Sequence, residues 1–192
     1  MDFSLIESHS NLNVYINFDW FQFERGGDYN LMGTSAVILT QKDKYSPDQL
    51  LANTIVAAFH SDAALYFYNN KTYTNEGEFL YTTLNINRKS PTDDNEASLI
   101  FHIHSISSPS TEFYYHEDLG LDLSESLCQV GHIEDIYGNQ ELIFHFIYEY
   151  LKLNPDDYFW IADNDWLYNW EDIQKLKSVP YDPDWCYQNP RD

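Results

Sequence analysis

The sequence predicts an α+β fold: a mostly antiparallel sheet with two main helices and a short C-terminal helix. Several segments alternate polar and apolar residues, which is typical of half-buried strands. Two longer segments repeat apolar residues at helical spacing, and one of them follows a strong helix-start signal. Strand-like and helix-like segments do not alternate regularly along the chain, which favours α+β over βαβ winding. The same pattern, without a repeat or a linker, predicts a single domain over residues 1–192.

The first predicted strands lie near the N-terminus. Residues 11–23, "NLNVYINFDWFQF", alternate, and four apolar side chains share one face: Leu12, Val14, Ile16 and Phe18. The segment "ERGGDYN" predicts a turn, and Gly33–Thr40 predicts a more buried strand.

The first helix is predicted to begin at "SPDQLLANTIVAAFHSD". Ser46 is a favourable N-cap, Pro47 suits the first helical position and Asp48 lies in the first turn. The apolar positions that follow recur at helical spacing, and we expect them to form the buried face: Leu50, Leu51, Thr54, Ile55, Ala58 and Phe59.

The middle of the chain predicts mainly strands. These are "ALYFYNN", Glu78–Arg88 and, after the polar loop "KSPTDDNEA", Ser98–Ser107. The segment "SSPSTEFYYHEDLG" predicts a loop with a short strand at its aromatic centre.

The C-terminal part predicts a second main helix over Asn139–Leu153, ended by Pro155. Its broad apolar stripe consists of Leu142, Ile143, Phe146, Ile147, Tyr150 and Leu151. "YFWIAD" predicts a buried strand, and "NWEDIQKLKS" a short helix with Asn169 as its cap. The tail is expected to be extended and held by Trp185 and Tyr187.

The composition indicates a folded protein of the cytoplasm. With 43% hydrophobic and 17% aromatic residues, the chain can bury enough apolar surface to offset the entropy of ordering. It has no apolar run long enough to span a membrane and no visible secretory signal. Cys128 and Cys186 are not in a CxxC pair, so two free thiols or one disulfide both fit the sequence.

The net charge is the strongest functional signal. Ten basic and 31 acidic residues give −21, a charge that repels nucleic acid and anionic membranes and attracts cationic partners. The alternative is a surface kept acidic for solubility, although such surfaces usually mix both signs. Between Lys89 and Lys152 the chain has no Lys or Arg but has twelve acidic residues, which favours electrostatic steering of a partner.

Several residue patterns suggest chemistry without completing a site. His102 and His104 share one face of a predicted strand, but a metal needs a third ligand, for which His116, Glu117 and Asp118 are the candidates. We predict no metal site and no cofactor, because a row of polar residues on a sheet explains the histidines equally well.

Nucleophilic or carboxylate catalysis also lacks support. Cys128 and His132 lie four residues apart without an orienting group or an oxyanion loop. Two pairs of aspartates are spaced by two residues, Asp163 with Asp165 and Asp182 with Asp184. A nuclease would need more basic residues to hold phosphates, although a glycosidase remains compatible with paired carboxylates and aromatic rings. We predict that the protein is not an enzyme.

The segment Asp156–Asp172, "DDYFWIADNDWLYNWED", is the predicted partner-binding site. It holds six carboxylates and six aromatic rings without a Lys or Arg. Aromatic anchors ringed by charge are typical of protein interfaces. The predicted binding residues are Asp156, Asp157, Asp163, Asp165, Trp166, Tyr168, Trp170, Glu171 and Asp172. The competing interpretation is that the tryptophans close the core beneath the C-terminal tail.

The succession of a helix, "NPDDYFW", "NWEDI" and "DPDWCY" over Gln140–Pro190 resembles bacterial immunity proteins of polymorphic and contact-dependent toxin systems. The resemblance implies a small, acidic, cytoplasmic protein that binds and neutralises a toxic nuclease or a similar domain. It implies no defined functional residues.

Charge and resemblance together predict an acidic inhibitor that binds a cognate basic toxin domain, a nuclease in the simplest case, by covering its active cleft. Two alternatives remain at this stage. One is a phage-type nucleic-acid mimic that inhibits a defence nuclease, and the other is a small hydrolase that uses paired carboxylates.

Overall fold

The computed structural model describes residues 35–67, 70–88, 97–113, 117–122, 124, 126–134, 136–162 and 164–191. They belong to one compact unit, residues 33–192. The strand predicted over residues 11–23 and the turn after it lie outside the described residues. No helix in the described part of the chain is long and apolar enough to cross a membrane.

The core of the fold is a seven-stranded antiparallel sheet with the order β2-β4-β5-β6-β1-β7, in which β3 pairs with β4 beside β2. The strands are β1 Ala36–Gln41, β2 Ala63–Tyr66, β3 Thr72–Tyr73, β4 Phe79–Arg88, β5 Ser98–His104, β6 Leu127–Glu134 and β7 Tyr158–Ile161. The helices are α1 Pro47–His60, α2 Gln140–Leu153 and α3 Trp170–Lys177. The predicted α+β class, with two main helices and a short third one, is confirmed.

The helices begin where local chemistry predicts. The Ser46 side chain accepts a hydrogen bond from the Gln49 amide at the start of α1. Asn169 and Asp172 form a capping box at the start of α3, each side chain accepting from the other's backbone amide. Lys175 and Lys177 lie in the last turn of α3, at the negative end of its dipole.

One face of the sheet packs against α1 and α2 and forms the main core. The predicted stripe of α2 is buried throughout and belongs to this core, where Phe146 contacts Phe101 with ring centroids 5.6 Å apart. The sheet contributes alternating side chains to it, including Ile38, Leu84, Ile86, Phe101, Val130 and Phe159.

The opposite face of β1 is covered as well. A second cluster contains Val37 and Leu39 of β1 with Phe113, Leu119, Leu127 and Leu167. Because β1 is buried on both faces, its sequence "AVIL" is continuously apolar instead of alternating, as in the buried strands of covered sheets.

Strand β6 was not predicted, because a bulge interrupts its alternation. Gly131 has φ +57°, and the register between β1 and β6 shifts at this point. A Cβ atom on Gly131 would lie 2.5 Å from Cζ of Phe101, so the close packing also requires glycine. The bulge places His132 on the face away from the helices while Val130 and Ile133 both enter the main core.

Three other predictions differ from the structure. Strand β5 ends at His104, and the chain turns before Ser107. The predicted apolar face of α1 is partly wrong, because Ile55 and Phe59 are 44% and 78% exposed. Trp185 is buried as expected, whereas Tyr187 is 43% exposed, because the last residues form a short 3-10 turn instead of an extended tail.

Candidate partner-binding surfaces

The segment Asp156–Asp172 folds back on itself. It forms β7, a turn and the beginning of α3, and the backbones of Phe159 and Tyr168 exchange two hydrogen bonds of 2.8 and 2.9 Å. Asn164, in the turn, donates to the Cys186 carbonyl at 3.0 Å. The segment is therefore joined to the C-terminal tail, and its side chains point in several directions.

Tyr168 is a core residue in this structure. Its side chain is fully buried, and its hydroxyl lies 3.1 Å from the carbonyl oxygens of both Trp185 and Gln188. Its ring contacts Trp185 with centroids 5.4 Å apart. Burial raises the pKa of Tyr168, so the hydroxyl stays neutral and holds the tail against β7.

Asp157 is also buried. It accepts a hydrogen bond of 2.9 Å from the Tyr150 hydroxyl, yet burial raises the pKa of its carboxyl group. The neighbouring Asp156 is exposed and pairs with Lys44 at 3.2 Å.

Asp172 stabilises the start of α3. Beyond its role in the capping box, it pairs with Arg191 at 3.2 Å and is largely shielded from solvent.

The predicted interface tryptophans, Trp166 and Trp170, are partly buried and pack against the main core. The ring of Trp170 lies on the ring of Tyr148. This packing agrees with the interpretation in which the tryptophans close the core, and their role in partner binding stays a prediction.

Among the predicted binding residues, Asp165 and Glu171 are exposed and have no ion pair in the described part of the chain. Asp163 lies outside the described residues. The tail adds Asp182 and Asp184, which are exposed and which the predicted site did not include. We call Asp165, Glu171, Asp182 and Asp184 the acidic rim. The sequence signal for the last two is their spacing by two residues, which by itself suggests only a catalytic pair.

Asp182 and Asp184 of the acidic rim lie on a short turn. The backbone amide of Asp184 donates to Asp182 Oδ1 at 2.9 Å, and Gln188 Nε2 donates to Asp182 Oδ2 at 3.1 Å. Both side chains of this pair are exposed.

Most of the described cations are engaged within the molecule. Four form ion pairs: Lys44 with Asp156, Arg88 with Glu141, Lys152 with Glu149 and Arg191 with Asp172. Lys175 donates to the Pro190 carbonyl at 2.8 Å, and Lys177 lies over the rings of Phe144 and Tyr148. None of these contacts pairs a cation with a carboxylate of the acidic rim.

Three histidines cluster on the sheet face opposite the helices. The His104 ring centroid lies 6.2 Å from that of His102 and 4.9 Å from that of His132. His102 contacts Glu134 at 3.0 Å, and His132 Nε2 lies 3.2 Å from the Ser110 carbonyl. Burial, with the neighbouring His132 and His102, lowers the pKa of His104 to about 3, and burial lowers that of His132 to about 4.

The alternative chemical sites do not assemble in the residues that the structure describes. No group of three or more His, Cys, Asp or Glu is placed to hold a metal ion there, and His116 lies outside the described residues. Cys128 enters the main core while His132 faces the other side of the sheet, so the two do not form a dyad. Cys128 and Cys186 are free and buried, and burial raises the pKa of each thiol to about 11.

Two surface cavities of about 230 and 280 Å³ are present. The first lies between the start of α1 and the end of α2, and the second lies beside the turn at Ile106. Both are smaller than the pockets of about 300 Å³ or more that typically hold small molecules. Neither volume by itself identifies a small-molecule site.

The outer face of α1 is the other exposed feature. Ala52, Ile55, Val56 and Phe59 follow one another at helical spacing and are all exposed. We call these four residues the α1 stripe.

Comparison with known proteins identifies no relative, since no family model, curated protein or solved structure matches this chain.

Proposed function

We propose that this protein is an acidic inhibitor that binds a cognate basic toxin domain, a nuclease in the simplest case, and neutralises it by covering its active cleft. One observation carries the proposal: the exposed carboxylates of the acidic rim form no ion pair among the described residues, while four described cations pair with other carboxylates of the molecule. The sequence as a whole carries −21.

The physical basis is the chemistry of the target. A nuclease must present Lys and Arg to the phosphates of its substrate. A carboxylate surface pairs with the same cations and so competes with nucleic acid for the cleft. Opposite charge also accelerates the encounter, by about 10 to 1,000-fold at low ionic strength.

The surface that we propose for this role contains only some of the predicted binding residues. Asp165 and Glu171 present charge to solvent, whereas Tyr168 and Asp172 are held inside. We assign the buried pair a positioning role, since Tyr168 holds the tail that bears Asp182 and Asp184, and Asp172 caps the helix that bears Glu171. The bacterial cytoplasm is the setting that the sequence resemblance to immunity proteins implies for such an inhibitor.

The first test is affinity capture from a lysate of the source organism, with the full chain as bait and washes at low and then high salt. We expect a basic protein that is retained at low salt and released more readily at high salt. The captured protein is then purified and its nucleic-acid cleavage measured with increasing amounts of the chain. Inhibition at stoichiometric amounts supports the proposal, and full activity of the captured protein contradicts it.

A charge-matched pair of variants tests the acidic rim. The rim variant combines Asp165→Asn, Glu171→Gln, Asp182→Asn and Asp184→Asn. The control neutralises four exposed carboxylates elsewhere, at Glu76, Glu78, Glu117 and Asp118, and so changes the net charge equally. We expect the rim variant to weaken binding about tenfold or more, since a few residues dominate most interfaces, and the control to change mainly the salt dependence of the association rate. Equal losses would show that only total charge matters.

The same captured protein separates the two alternatives. A nucleic-acid mimic would inhibit several unrelated nucleic-acid-binding proteins, whereas the proposed inhibitor is selective for one. A hydrolase would turn over a substrate without any partner.

A further inference from the structure

The outer face of α1 is unusual because Ile, Val and Phe side chains are exposed there, whereas two alanines of the same helix are buried. The side chains directed into the fold are Leu50, Thr54, Ala57 and Ala58. Those directed to solvent include Ile55, Val56 and Phe59, which are 44%, 39% and 78% exposed.

Neither helix formation nor core packing accounts for these residues. Ile and Val are β-branched and Phe is aromatic, and all three have lower helix propensity than the straight-chain residues that usually fill a solvated face. Ala57 and Ala58 are fully buried, so the close approach of α1 to the sheet and α2 depends on small side chains and not on the α1 stripe. Exposed apolar groups that lie together, rather than singly, mark contact surfaces.

The charge around the α1 stripe is negative. Helix α1 contains Asp48 and no Lys or Arg. The residues flanking it include Asp43 and Asp62, which are exposed, and none of these three carboxylates has an ion pair among the described residues. Two described cations precede α1, exposed Lys42 and Lys44, which is paired with Asp156, so the three carboxylates outnumber the cations.

The negative charge favours one class of binding partner for the α1 stripe. A second copy of the chain would bring another −21 against the same surface, and an anionic membrane would repel it similarly. A protein segment with apolar residues and flanking Lys or Arg satisfies both the apolar stripe and its acidic surroundings.

We propose that the α1 stripe is a docking surface for a cationic amphipathic segment of a protein partner. Ile55, Val56 and Phe59 make the apolar contact, and Asp43, Asp48 and Asp62 attract the flanking cations. That the partner is a toxin rests on the proposed function. The chemistry of the docking segment does not, because it is inferred from the residues of α1 and those that flank it. It adds an apolar contact to the charge contacts of the acidic rim.

The test uses a defined probe. A fluorescently labelled helical peptide of Leu and Lys, with the leucines at helical spacing, is titrated with the full chain, and a scrambled peptide of the same composition serves as its control. We expect the amphipathic peptide to bind more tightly than the scrambled one, because only the former presents a continuous apolar face.

The α1 variant combines Ile55→Gln and Phe59→Gln, which keep the charge and use a good helix former. The matched control combines Tyr73→Gln and Val179→Gln, two exposed apolar residues on other segments, 52% and 54% exposed. We expect the α1 variant to lose at least about tenfold in affinity for the amphipathic peptide and the control to change less than about twofold. Equal affinity of the α1 variant and the unmodified chain would overturn the proposal.

Two further measurements keep the outcome decisive even if the α1 variant folds poorly. Amide hydrogen exchange of the unmodified chain should show peptide-dependent protection within residues 47–60, and protection confined to other segments would overturn the proposal. The other measurement tests the unmodified chain for a salt-resistant dimer by sedimentation and for binding to phosphatidylcholine vesicles. If the unmodified chain forms the dimer or binds the vesicles and the α1 variant does not, the proposal is overturned, because the α1 stripe would then mediate self-association or lipid binding.

Failure of this inference is distinguishable from failure of the proposed function. If the α1 variant does not differ from the unmodified chain in peptide binding but still inhibits a captured basic toxin, the docking surface is wrong and the inhibitor proposal stands. If the peptide binds at α1 but no basic protein is captured and inhibited, the docking surface stands and the inhibitor proposal fails.

Discussion

The segment Asp156–Asp172 and helix α1 distribute their side chains in opposite ways. The segment is rich in charge, yet it buries Asp157 and Asp172 together with Tyr168. Helix α1 is rich in apolar residues, yet it exposes Ile55 and Phe59. The comparison shows that residue type alone does not decide which side chains a partner can reach. That choice depends on which other elements pack against each segment.

The largest expected difference between the two regions concerns two aromatic residues. We expect Tyr168→Ala to lower the free energy of unfolding by about 3–5 kcal/mol, because it opens a cavity against Phe159 and Trp185 and removes the hydroxyl that holds the tail. We expect Phe59→Ala to change it by less than about 0.5 kcal/mol, because the side chain is 78% exposed. Urea unfolding measures the free energy of unfolding of both variants. Comparable losses of stability would contradict the finding that Tyr168 is buried and Phe59 is exposed.

A smaller difference is expected between two aspartates of the predicted site. Asp172→Ala should destabilise the protein by about 1–2 kcal/mol, since it removes a helix cap and the partner of Arg191. Asp165→Ala should have almost no effect, since Asp165 is exposed and has no ion pair in the described part of the chain. Thermal or urea unfolding tests the pair, and a large loss for Asp165→Ala would assign that residue a structural role.

The smallest expected change in the free energy of unfolding results from replacing the buried Asp157, and it is an increase instead of a decrease. Burial raises the pKa of this carboxyl group in the folded protein above its value of 3.8 in an unfolded chain. Between these two pKa values the folded state binds more protons than the unfolded state, so stability falls as the pH rises through this window. At neutral pH the ionised carboxylate therefore carries a cost.

We expect Asp157→Asn to raise the free energy of unfolding at pH 7, because it removes a buried charge while the amide oxygen can still accept from Tyr150. The gain should disappear below pH 3.8, where both the folded and the unfolded carboxyl groups of Asp157 are protonated. Urea unfolding of the variant and the unmodified protein at both pH values, with Asp165→Asn as the exposed control, measures the sign. A loss of stability at pH 7 would show that hydrogen bonds to the charged carboxylate outweigh its burial.

The acidic rim could be predicted only in part. Charge and aromatic neighbours predict Asp165 and Glu171 as binding residues, and the structure shows that both are exposed. Asp182 and Asp184 join them because Tyr168 and Asn164 bind the tail, and hydrogen bonds between segments so far apart in the chain leave no mark on local sequence. The α1 stripe was mistaken for a buried face for the same reason, since helical spacing shows that residues share a face but not which face is covered.

The sequence by itself determined the features that depend on neighbouring residues. Ser46 and Asn169 cap their helices, the apolar stripe of α2 is buried along its length, and the alternation of β4 and β5 places them in an antiparallel sheet. Only the tertiary structure decided where β6 runs, because the bulge at Gly131 breaks its pattern to admit the ring of Phe101. It also decided which carboxylates and which face of α1 meet solvent. Caps and periodicity arise from contacts within a few residues, whereas burial is set by elements that approach from distant parts of the chain.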